Sequence, residues 1–141
     1  MNKITLLLLI FCSVPIFSQD KDKDQQENFI DVAESKCLDK KEISNAQMLE
    51  CSIKAGQSWD KELNKYYNLL AAKLPKDAFE ILKASQEEWI IYRDKEFKFI
   101  SKLYYEVKDG TMWYGVAENK KKEIIKTRAL ELQMFLEDLE Y

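Results

Sequence analysis

The chain has 141 residues, 33% of them charged, with 25 acidic side chains against 22 basic ones and no histidine. The missing imidazole excludes Ser-His-Asp and Cys-His nucleophile systems, and no glycine-rich phosphate loop is present. A formal net charge of −3 disfavours nucleic acid, whose binders need a basic stripe.

Residues 1–18 read as a secretory signal peptide. Lys3 supplies the positive start, Ile4 to Val14 is an apolar run broken only by Thr5, Cys12 and Ser13, and Pro15 to Ser18 ends in a small residue suited to cleavage. The run is too short to span a bilayer core of about 30 Å as a helix, so no stable membrane anchor is expected after cleavage. Lipid attachment at Cys12 is disfavoured, because the bulky Phe11 stands where lipoprotein processing wants a small residue. The expected location is secreted or periplasmic. Cleavage after Ser18 removes Lys3 and no acid, which takes the net charge to −4.

Export also decides the reading of the cysteines. Cys37 and Cys51 remain as an even pair in an oxidising compartment and are expected to form a disulfide closing a 15-residue loop. Such a crosslink is worth about 3 kcal/mol on chain-entropy grounds. The bland alternative is two buried free thiols. Two lone cysteines without histidine make a poor zinc site, so neither a metal nor another cofactor is expected.

Residues 19–36 form an expected arm: a charged, glutamine-rich tether from Asp20 to Glu27, then Asn28 to Ser35 as about two helical turns in which Phe29, Ile30 and Val32 seek cover. Domain-like sequence is assigned to residues 37–141. Its first long helix runs from Asn45 to Leu74, with Leu49, Ile53, Gly56, Trp59, Leu63, Tyr67, Leu70 and Leu74 in steps of three and four. Ser44 or Asn45 can cap its start, and Pro75 stops it. A second helix begins just beyond Pro75, its stripe being Phe79, Leu82, Gln86, Trp89, Arg93, Phe97, Ile100 and Tyr104.

Two polar residues interrupt that second seam. Gln86 and Arg93 either lie at its edge with their heads in water, or are buried and paired with a neighbouring helix, Asp60 and Asn64 being the natural partners. Lys108-Asp109-Gly110 then breaks the pattern, and Gly110 and Gly115 bracket Thr111-Met112-Trp113-Tyr114 as a loop. An exposed Met112, Trp113 and Tyr114 would make a partner-binding tip; alternatively Trp113 folds back and closes the end of the bundle. A third helix is expected from about Ala117 to Leu139, with Ile124 or Ile125, Arg128, Leu132, Phe135 and Leu139 in line and Lys120, Lys121 and Lys122 as a solvated face. The predicted fold is all-α: an elongated antiparallel three-helix bundle with a short N-terminal arm tied on by one disulfide.

Several segments carry a family resemblance. Asn45 to Met48 leads into Cys51; Asp60, Leu63, Asn64 and Tyr67 match the pattern D-x-x-L-N-x-x-Y; Gln86, Trp89, Tyr92, Arg93 and Asp94 match Q-x-x-W-x-x-Y-R-D. Gly110 to Trp113 and Thr127 to Leu132, with Arg128 among them, complete the series over residues 37–136. In these features the chain resembles the LprI-type lysozyme-inhibitor family, small exported helical proteins. One departure concerns a second cysteine pair common in that family, whose places here hold Phe97 and, approximately, Lys120. An apolar contact from Phe97 is the expected substitute for that crosslink.

The resemblance implies a non-enzymatic protein that binds and blocks a peptidoglycan-cleaving lysozyme. Lysozymes are often cationic, and an acidic inhibitor would be steered towards one. The 109–115 loop with the flanking Lys108 is the expected contact, whereas Asp60, Leu63, Asn64, Tyr67, Gln86, Trp89, Arg93, Asp94 and Arg128 are expected to be architectural. The competing reading is a general envelope or secreted interaction module without lysozyme inhibition; catalysis through Glu87, Glu88 or Glu96 is a distant third. The pattern leaves the oligomeric state open.

Overall fold

A computed structural model describes residues 28–140. The signal-peptide reading, Cys12 and the tether before Asn28 lie outside the described residues. The described residues fold as four helices: α1 (Phe29–Leu38), α2 (Asn45–Lys73), α3 (Lys76–Ser101) and α4 (Met112–Asp138), with a π-helical turn, Lys102–Val107, continuing α3. No strand occurs among the described residues.

Local chemistry explains the boundaries. The Asn28 side chain accepts from the Ile30 N–H at 2.9 Å and starts α1. Ser44 starts α2 with a capping box: its hydroxyl takes the Gln47 N–H while the Gln47 side chain takes the Ser44 N–H. Leu74 is extended ahead of Pro75, so α2 ends one residue before the proline's forbidden helical neighbour and α3 begins immediately after it. Gly110 has φ +98°, a left-handed conformation that suits glycine, and it turns the chain into α4.

The expected three-helix count is corrected to four. The arm's second part is a formed helix, and α1 adds Ile30 to a core of Ala55, Trp59, Leu63, Leu70, Ala129 and Leu132. Phe29, expected to find cover, is exposed. The Cys37–Cys51 disulfide, with Cα atoms 5.8 Å apart, ties the end of α1 to the start of α2.

The closest pair of helices is α2 and α4, which run parallel. Gly56 lies against Lys122, Lys126 stands over the Trp59 ring, and Lys73 meets Glu140 at 2.6 Å, so positions advance together along both helices. Small residues on the facing surfaces (Ser52, Ala55, Gly56, Ala117, Ala129) permit that approach. Helix α3 runs back antiparallel and sits further out, its large side chains Leu82 and Trp89 reaching inward to the core. Bulky side chains thus set α3 further from α2, whereas small ones admit α4.

Two stripes are also revised. On α4 the covered face is Ala117, Lys122, Ile125, Arg128, Ala129, Leu132 and Leu136, so Ile125, Arg128 and Leu132 of the expected stripe are covered, whereas Phe135 and Leu139 face solvent. On the first half of α2 the covered positions are Cys51, Ser52 and Ala55, and Ile53 is turned outward, because α1 and α4 both pack on that half.

Candidate functional site

The far end of α3, the π-helical turn and the start of α4 build a tip rich in aromatic rings. Within the turn the Lys108 N–H reaches back five residues to the Leu103 carbonyl at 3.0 Å, a widened winding that often marks functional segments. It brings two ring pairs together across the tip. Tyr104 meets Trp113 at 5.9 Å between centroids, and Tyr105 meets Tyr114 edge-on at 5.0 Å. The Lys108 ammonium stands 4.9 Å over the Trp113 ring.

Met112, Trp113 and Tyr114, expected in a loop, form the first turn of α4, which starts five residues before Ala117. The glycine pair that suggested a longer loop divides in role: Gly110 turns the chain, and Gly115 is helical. Trp113 folds back and is half-buried, while Met112 and Val107 are the apolar side chains that protrude. The Tyr105 hydroxyl donates to Glu118. Burial first, and that carboxylate second, push the Tyr105 phenol well above its ordinary pKa.

The motif residues separate into three groups. Gln86 and Arg128 meet between α3 and α4: Arg128 Nε donates to Gln86 Oε1 at 2.9 Å, while its two terminal nitrogens reach Glu131 at 3.0 Å and Ser85 at 3.4 Å. Both residues are buried, so this fork of hydrogen bonds satisfies a guanidinium removed from water. Asp60 and Asn64 bond to each other along α2 and not to α3. Arg93 pairs with its neighbour Asp94 at 2.8 Å and lies over the Trp89 and Phe97 rings, again without a partner on α2. The apolar motif residues Leu63, Tyr67 and Trp89 are in or against the core.

Phe97 lines a groove of about 480 Å³ beside α2 and α4, near Lys121 and not Lys120. Among the described residues the most buried ion pair is one whose lysine the sequence pattern placed on a solvated face. Lys122 Nζ lies 2.5 Å from Glu34 Oε2, with 6% and 7% of the two side chains exposed, and also meets Glu123 at 3.1 Å. Burial alone would lower the Lys122 pKa, but hydrogen bonds to Glu34 and Glu123 overcome it and hold the value above that of a free lysine. Lys126 makes a parallel pair with Asp31 at 2.7 Å, and Asp31 also accepts from the Trp59 indole at 3.4 Å. A signal for Lys122 was present: it falls in step with Ile125, Ala129, Leu132 and Leu136.

Among the described residues no group of three or more His, Cys, Asp or Glu side chains is placed to hold a metal ion, and no helix is long and apolar enough to cross a membrane. Glu87 and Glu88 are exposed on α3. The arrangement offers surfaces for protein contact: an aromatic tip and open grooves beside α3.

The family described as "Lysozyme inhibitor LprI" matches residues 37–132, from the first disulfide cysteine to a core leucine of α4. An uncharacterized protein of Rhizobium meliloti (strain 1021) is 26% identical over 96% of this chain and 94% of its own length. The crystal structure of an uncharacterized protein from Burkholderia thailandensis superposes with a TM-score of 0.73 at 28% identity, over 81% of this chain. The chain accounts for 56% of that longer protein.

Proposed function

The chain belongs to the LprI lysozyme-inhibitor family, and from that premise we propose that it is an exported protein that binds and blocks a peptidoglycan-cleaving lysozyme. The observation that carries the reading is the family match across residues 37–132, which takes in the disulfide, the core helices and the tip. A disulfide in so small a domain suits an oxidising compartment outside the cytoplasm. The acid excess suits a cationic enzyme, because complementary charge accelerates encounter.

In this reading the tip is the plug. Lys108 and the protruding Val107 and Met112 enter the acidic catalytic cleft, and Trp113 supports them from below against Tyr104. Titration of the oxidised protein into turbidity assays with a panel of cationic lysozymes tests the function, and saturable inhibition of at least one enzyme is expected. Silence across the panel would favour the plainer alternative, an envelope interaction module with another partner. Met112→Glu tests the plug without disturbing its support, and a tenfold or greater rise in the inhibition constant, about 1.4 kcal/mol or more, is expected. Trp113→Ala should weaken inhibition as well; unchanged inhibition in both variants would acquit the tip.

A further inference from the structure

The π-helical turn Lys102–Val107 buries none of its own side chains, and Val107 and Met112 stand 63% and 60% exposed at its end. A segment with so little buried surface opens readily unless contacts on its flanks hold it. Trp113, against Tyr104, supports one flank. The other rests on Lys121. The consecutive Lys120, Lys121 and Lys122 meet three different surroundings, because successive helical residues point about 100° apart. Lys120 is exposed, and Lys122 is buried against Glu34.

The Lys121 ammonium lies 4.9 Å from the Tyr105 ring centroid in the turn and 6.0 Å from that of Phe97 on α3. On its own helix it meets Glu118 Oε1 at 2.8 Å, with only 15% and 19% of the two side chains exposed. The same Glu118 oxygen accepts from the Tyr105 hydroxyl, and the Tyr105 ring meets Tyr114 edge-on. One cation thus joins α3, the turn and α4. A cation over ring faces is held more strongly where water is kept away, and the carboxylate beside it fixes its place. Burial and Glu118 keep the Tyr105 proton on the phenol well beyond the ordinary range, so Tyr105 stays a donor. Phe97, Tyr105 and Tyr114 neither form nor cover the core cluster around Trp59. A change here therefore acts on the tip and spares the core.

We propose that Lys121 is the positioning residue of the tip: shared between Glu118 and the rings of Phe97 and Tyr105, it sets the angle at which the turn presents Val107, Lys108 and Met112. The inference rests on the lysozyme-binding reading and adds to it a residue that acts on the plug from behind. A contact surface held in its bound geometry before encounter loses less freedom on binding. Releasing Lys121 therefore weakens inhibition through the disorder of the tip, with no contact to the enzyme removed.

Hydrogen exchange and inhibition titrations on the oxidised full chain test this together. In Lys121→Met, which keeps the stem and removes the charge, the Lys108 amide that bonds to the Leu103 carbonyl should exchange about tenfold faster or more. The Trp59 amide in the core should be unchanged, and the inhibition constant should rise about tenfold. Lys121→Arg, which keeps the charge and its place over the rings, should restore most of both. Lys120→Met makes the same charge change at an exposed neighbour and should alter each by about twofold or less. In Met112→Glu, where the plug is already broken, Lys121→Met should add about twofold or less, because both changes act on one contact. A full further loss in that background would make Lys121 an independent contact and overturn the proposal. Equal loss of protection at Trp59, no rescue by Lys121→Arg, or the same losses in Lys120→Met would overturn it too. If the panel is not inhibited at all, the lysozyme reading falls and exchange alone decides the positioning. Faster exchange at Lys108 with Trp59 unchanged then supports it, and unchanged exchange at Lys108 overturns it.

Discussion

The two sides of this molecule are built to different standards of burial. Where α1, α2 and α4 meet, Trp59 is fully buried and a disulfide and two interhelical ion pairs close the end. Helix α3 buries only Gln86 and Ile100 in 26 residues, against six in α2 and five in α4. Its free flank displays Ile81, Ile91, Tyr92 and Phe99 to solvent. The contrast separates two tasks that compete for the same side chains. An aromatic ring in the core lowers the energy of the fold, whereas a ring kept at the surface is available to a partner. This protein meets the first need where small residues let the long helices α2 and α4 pack closely, and its outer helix keeps several rings at the surface.

The sharpest way to break the comparison is to truncate one ring from each side. Trp59→Ala should cost about 3–5 kcal/mol through lost burial and a residual cavity, whereas Phe99→Ala should move stability by about 0.5 kcal/mol or less. Urea midpoints measure both, and equal losses would erase the distinction.

Removing one member of the buried ion pair is expected to be nearly as severe. Lys122→Met strands the Glu34 carboxylate and should cost about 3–5 kcal/mol, most of which the double variant with Glu34→Leu should recover. The same pair has a pH signature. Because the folded-state pKa of Lys122 is raised, its contribution is fully present below the unfolded lysine value near about 10.4 and is lost as pH rises through the folded one. Denaturation titrations should therefore show the Lys122 contribution being lost in the alkaline range, with a smaller change there in Lys122→Met/Glu34→Leu.

Opening the disulfide should cost somewhat less, about 3 kcal/mol. Melting curves with and without reductant, and of Cys37→Ser with Cys51→Ser, test this. Loss confined to α1, with α3 and the tip unaffected in hydrogen exchange, would sharpen the division between the two sides.

The smallest expected effect is a gain. A methyl group added at Gly56 meets Lys122 Cβ at 3.6 Å, an ordinary contact, so Gly56→Ala should stabilise α2 by about 0.4–1 kcal/mol. A loss instead would mean that α2 and α4 tolerate no added volume.

Much of this was legible from residue spacing. The second-helix stripe from Phe79 to Tyr104 is buried or half-buried at every named position, because a covered face leaves its period in the composition of its own helix. The Ser44 start and Pro75 stop follow from capping and from proline's constraint on Leu74. The third stripe failed at Phe135 and Leu139, where apolar character was read as burial although these side chains face water. Lys122 failed in the opposite direction, since a lysine run is ordinarily solvated and its burial depends on an acidic partner 88 positions away, Glu34, together with the adjacent Glu123.

By itself, then, the amino-acid order determined where α2 begins and ends, where α3 begins, the covered stripe of α3, and which two cysteines join. Only the tertiary structure decided that α1 completes the core, that α4 lies closest to α2, that Arg128 takes Gln86 while Arg93 turns to Asp94, and that α3 keeps an open flank. The physical reason is one of range. Capping, backbone restriction and periodicity act over a few residues and are written locally, whereas the choice of neighbour depends on whether two distant surfaces fit in volume and charge, which no single segment contains.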